Sequence, residues 1–195
     1  MGNVRKRLLS LAALSVLATA AVAALPTASQ ATTAASVTLS AGSLAFINGT
    51  PAVTISFPAA TLDGTNQTLT ATLVFDIGDA TGSGAGWDVT ATSTTFRSGA
   101  NALPTTATTI QSAPTASCDT GAPGCASATT TISYPYTLPA ATTAPTATKL
   151  FNAPVNTGMG NQTFTPTWTL AILANAVASR TAYTSTWTLS LVSGP

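Results

Sequence analysis

Histidine and glutamate are both missing from this sequence of 195 residues, and charge is scarce, with six Lys and Arg against five Asp. Conventional acid–base and nucleophilic catalysis needs groups that these absences remove, and neither a Ser-x-x-Lys nor a Gly-x-Ser-x-Gly arrangement occurs. Three of the five aspartates cluster around one turn, which does not suggest a glycosidase pair. The expectation is therefore a protein that is not an enzyme and holds no cofactor. Cysteine is limited to Cys118 and Cys125, and two thiols with no imidazole supply too few soft ligands for a zinc site. Beyond residue 31 the cations are Arg97, Lys149 and Arg180, against Asp63, Asp76, Asp79, Asp88 and Asp119, a balance of 3 − 5 = −2. Three scattered cations cannot form the basic stripe that phosphate binding needs, so nucleic acid is not an expected partner.

The one long apolar run lies at the start. Arg5, Lys6 and Arg7 precede an Ala- and Leu-rich stretch over 8–25, then Pro26 and the small-residue run Ser29-Gln30-Ala31. This pattern predicts a secretory signal peptide over residues 1–31, cleaved after Ala31, with an uncleaved membrane anchor as the alternative. A single domain over 32–195, with no membrane association once the leader is removed, is the expected mature form. In an exported chain, Cys118 and Cys125, separated by Asp-Thr-Gly-Ala-Pro-Gly, are expected to close a local disulfide.

What the sequence does have is threonine, alanine and period-two alternation. Alternating apolar and hydroxyl residues predict strands that begin at Val37 and Leu39, Leu44 and Phe46, and Val53, Ile55 and Phe57. Leu69, Ala71, Leu73 and Phe75 alternate with threonines in the clearest internal strand, and Trp87, Val89 and Ala91 form another. Residues 76–86 read as a Gly-rich turn, and 99–123 as a long loop pinned by the disulfide. Alternation resumes over 127–136, 164–173 and 183–192. Successive side chains of a strand point to opposite faces, so Tyr183, Trp187, Leu189 and Leu191 share a core face. The expected fold is all-β, an antiparallel two-sheet β-sandwich of Ig-like or jelly-roll-like architecture.

Two segments carry a resemblance. Residues 79–96, D-A-T-G-S-G-A-G-W-D-V-T-A-T-S-T-T-F, resemble the first motif of the WxL cell-wall-binding domain of bacterial surface proteins. Residues 158–195, with T-W-T-L at Trp168 and a terminal W-T-L-S-L-V-S-G-P at Trp187, look like that family's C-terminal half. The first triplet reads Trp87-Asp88-Val89 rather than Trp-x-Leu, and the W-T-L at Trp168 is additional. The resemblance implies a cell-surface protein attached non-covalently to peptidoglycan or another cell-wall glycan, often alongside other surface proteins.

Glycan binding would use an aromatic ring as a platform for sugar C–H groups, with Thr, Asn or Asp at its rim. Trp87, with Asp88 beside it, is the leading candidate because it follows the Gly-rich turn; Trp168 and Trp187 are further candidates whose phase with Leu170 and Leu189 favours packing. Asp76, Asp79 and Asp88 bracket that turn and are a weak calcium alternative to ordinary turn-capping aspartates. A second functional reading is a self-assembling structural subunit of a surface layer or filament, because threonine-rich strands with little charge also suit edge-to-edge pairing.

Overall fold

A computed structural model describes residues 32–52, 54–122 and 124–194. The expected leader, and Val53 of the third expected strand, lie outside the described residues. The chain divides into two units, 1–38 and 39–195. In the first, residues 32–38 carry no strand or helix.

The described residues contain no helix and fourteen strands. One four-stranded sheet has the order β1 (Leu44–Ile47), β3 (Phe75–Asp79), β12 (Gly160–Thr165), β8 (Thr115–Cys118). A second runs β2 (Gln67–Thr72), β13 (Thr167–Ile172), β7 (Thr108–Ile110), β9 (Tyr136–Thr137). The third is built on β4 (Trp87–Thr94). On one side of β4 lie β11 (Thr148–Ala153) and, in parallel, β10 (Ala140–Ala141); on the other lies β14 (Trp187–Ser193). A short ribbon pairs β5 (Arg97–Ser98) with β6 (Asn101–Ala102). The sheets pack on a common interior that includes Phe75, Ile77, Trp87, Val89, Phe151, Phe164 and Trp168, as expected of a β-sandwich.

The partition into three sheets has a local cause. β2 pairs with β13 and β3 with β12 in one unbroken register, Thr72 opposite Thr167 and Phe75 opposite Phe164. Leu73 stands opposite Pro166 at the gap. Leu73 donates its N–H to the Pro166 carbonyl at 3.3 Å, but proline has no N–H to return. The paired chains bend there and pass from one sheet to the next. The single strand expected over 69–75 is accordingly two, and that expected over 164–173 likewise.

Other expected elements differ. Val37 and Leu39 form no strand and are 83% and 87% exposed. Ile55 and Phe57 keep their alternation, each half-buried beside exposed Thr54 and Ser56, but lie outside any ladder. Residues 76–79, expected in the turn, belong to β3. The expected loop over 99–123 contains β6, β7 and β8. Residues 127–135 are not a strand, because side-chain amides take the hydrogen bonds a neighbouring strand would supply. Buried Gln162 donates to the Ala126 carbonyl at 3.1 Å and accepts from Ala128 N–H at 2.8 Å, while Asn152 Oδ1 accepts from Thr131 N–H at 2.9 Å. In the terminal segment, Tyr183 precedes β14 rather than joining it.

Candidate functional site

The candidate residues singled out by sequence separate in space according to what surrounds them. Trp87 is fully buried, stacked on Phe151 with ring centroids 5.7 Å apart, and its Nε1 donates to the Gly158 carbonyl at 2.9 Å. A ring enclosed in this way offers no face to a sugar, which corrects the reading of Trp87 as a surface platform. The glycines around it serve close approach. A Cβ on Gly86 would lie 2.1 Å from the Ala153 carbonyl oxygen, and one on Gly158 2.5 Å from Trp87 Nε1. Both have positive φ, a region open to glycine at little cost.

Trp168 is also fully buried. Trp187 is half-buried, 4.7 Å from Trp168 in an edge-to-face pair. Asp88 is enclosed as well, its Oδ2 2.8 Å from Lys149 Nζ, so it forms an ion pair rather than the rim of a ligand site. The three aspartates of the calcium alternative point to separate partners. Asp76 accepts from Asn48 Nδ2 at 2.9 Å, Asp79 accepts from both the N–H and the hydroxyl of Thr81, and Asp88 holds Lys149. Among the described residues no three metal-ligating side chains come together. The disulfide between Cys118 and Cys125 is present, joining the end of β8 to the following turn.

A large concavity lies elsewhere, a groove of about 1130 Å³ lined by residues of two edge strands. β2 contributes Leu69 and β14 contributes Trp187 and Leu189; among the described residues each of these strands has a paired neighbour on one side only. Phe96, Tyr183 and Phe57 complete an aromatic floor with Trp187. Phe57 and Phe96 meet edge to face at 6.1 Å, and each lies 6.3 Å from Trp187. Thr54, Ser56, Ser179, Thr181, Thr184 and Thr186 supply hydroxyls around the rim. Of these residues the sequence points to Trp187 alone as a binding candidate; Phe57, Leu69 and Phe96 lie far from it along the chain, and only the pairing of β13 and β14 into different sheets brings them to it.

Residues 54–62 run along this groove as a strap. None of them makes a backbone–backbone hydrogen bond among the described residues. The strap is held by Ile55 and Phe57 against the core clusters, and at its end by Gln67 Nε2, which donates to the Thr61 carbonyl at 2.6 Å and to Asp63 at 3.2 Å. Hydrogen bonds from the Thr65 N–H and hydroxyl and from Gln67 hold the Asp63 carboxyl below the usual aspartate range. An apolar floor with an uncharged hydroxyl rim suits an extended, neutral, polyhydroxylated or peptide-like ligand. Comparison with protein-family models, with curated proteins and with solved structures finds no match to this chain.

Proposed function

We propose that this chain is an exported bacterial surface protein of WxL-like type that attaches non-covalently to cell-wall glycan, with the groove as its contact surface. The leader pattern over 1–31 supports export, and the two Trp-bearing segments support the family reading. The observation that carries the proposal is the groove itself, where Trp187 of the terminal W-T-L joins Phe57, Phe96 and Tyr183 below a ring of Thr and Ser hydroxyls. Aromatic rings stack on sugar C–H faces while hydroxyls exchange hydrogen bonds with sugar hydroxyls, and neither contact needs charged groups, of which this chain has few. The protein is read as a binding module without a cofactor.

Co-sedimentation with purified cell wall tests the proposal. Phe96→Ala and Tyr183→Ala are each expected to lower the affinity about tenfold, the loss of roughly one aromatic contact. Unchanged retention of both variants would remove the groove from the wall-binding account.

A second reading, a self-assembling surface subunit, is favoured by one specific observation. The groove is lined by two edge strands, and the strap lying in it makes no backbone–backbone hydrogen bond to either among the described residues.

A further inference from the structure

The strap has a near-duplicate in the chain. Val37-Thr38-Leu39-Ser40 repeats Val53-Thr54-Ile55-Ser56 with a single Leu-for-Ile exchange. The two copies have different fates. In the second, Ile55 turns inward to the core and lines the groove, with Thr54 and Ser56 outward. In the first, Val37 and Leu39 are 83% and 87% exposed, and residues 34–41 make no backbone–backbone hydrogen bond among the described residues. The chain thus contains one strand-like segment in a groove it does not pair with, and another of the same alternation whose Val37 and Leu39 stand exposed among the described residues.

We propose that residues 36–40 of one copy enter the groove of a second copy, displace its strap, and add a strand to the free edge of β2 or β14. This deepens the assembly reading and rests on it. A segment in the register of the strap places Leu39 where Ile55 now packs. Its backbone N–H and C=O groups pair with an edge, as an added strand does when it completes a sheet. The displaced strap surrenders no backbone ladder, so the exchange replaces the Ile55 contact with a similar one, gives up the Phe57 ring contacts because Ala41 stands in that register, and gains main-chain hydrogen bonds in return. The contact is heterologous, segment of one copy to groove of the next, so it propagates into open chains unless the rotation closes a ring. A groove filled this way is closed to wall polymer, which makes chain growth and wall attachment alternatives for any one groove.

Sedimentation velocity of the purified protein over a wide concentration range tests this. The wild type is expected to form concentration-dependent multimers. The double variant Val37→Asp with Leu39→Asp is expected to remain monomeric with the melting temperature of the wild type, since both side chains stand in solvent. Phe57→Ala, which loosens the strap, is expected to associate at lower concentration than the wild type. A wild type that stays monomeric throughout, or a double variant that associates as the wild type does, overturns the exchange. Wall co-sedimentation of the monomeric double variant separates this outcome from the wall reading, because residues 36–40 have no part in glycan contact: at concentrations where the wild type is monomeric, retention on the wall is expected to equal that of the wild type.

Discussion

Trp87 shows why residue identity alone misassigned the site. Its position after a Gly-rich turn suggested exposure, yet Gly86 and Gly158 are the means by which neighbouring backbone approaches closely enough to enclose the ring. Gly158→Ala is therefore expected to cost about 3 kcal/mol, because its Cβ enters the space of the indole at a positive φ. Trp87→Phe should cost about 2 kcal/mol through the lost hydrogen bond to Gly158 and the space left unfilled. Chemical denaturation measures both, and a change below about 0.5 kcal/mol in either would mean that the ring is not a core element. Tyr134 provides a test by titration. Burial is the main cause that pushes its phenol up to about 12, against a smaller opposing hydrogen bond from Thr130, and its hydroxyl donates to the Leu150 carbonyl at 2.6 Å. Burial raises Tyr136 in the same direction. A raised folded value favours the neutral phenol, so this contribution is fully present below about pH 10, where the unfolded phenol is still protonated, and is lost as pH rises from there through about 12. Tyr134→Phe is expected to flatten the fall of the melting temperature across that alkaline window; an identical fall in the variant would refute the assignment.

Among the elements, period-two alternation located β1, β2, β4, β13 and β14 because their inward residues are large: Leu44 and Phe46, Leu69, Trp87 and Val89, Trp168 and Leu170, Trp187 and Leu189. It missed β7 and β8, where Thr108, Thr109, Thr115 and Ala116 offer little contrast between the two faces, and it predicted a strand over 127–136 where Gln162 and Asn152 replace a neighbouring ladder with side-chain amides. Such a replacement is tertiary, and no local pattern announces it. The disulfide was legible from two cysteines in a chain whose leader pattern led us to expect export. Its reduction is expected to remove about 2.5 kcal/mol, the loop entropy of a short closed ring, seen as a lower melting temperature in reductant. No change on reduction would show that the β8 turn is held by its other contacts. The strap is expected to differ from the sheets around it. Amides of residues 54–62 should exchange with solvent orders of magnitude faster than those of β4, which has strands on both sides. Protection of strap amides comparable to β4 would contradict a displaceable segment.

For the whole molecule, the fold class followed from composition, since little charge and abundant threonine leave strands as the economical way to bury apolar residues. The division into three sheets did not, because it turns on Pro166 facing Leu73 across a pairing 93 residues apart in sequence. The groove was illegible for a related reason: its floor draws on Phe57, Phe96, Tyr183 and Trp187, which only the completed sheets bring together. The central claim is that this groove, rather than the tryptophan beside the Gly-rich turn, is the surface that meets the cell wall. Two-dimensional NMR of the labelled protein titrated with solubilised wall fragments tests it most directly. The account predicts shifts concentrated in residues 54–62 and 183–189, with the Trp87 indole resonance unmoved. Shifts centred on Trp87 and Asp88, or none at fragment concentrations that saturate wall retention, would contradict it.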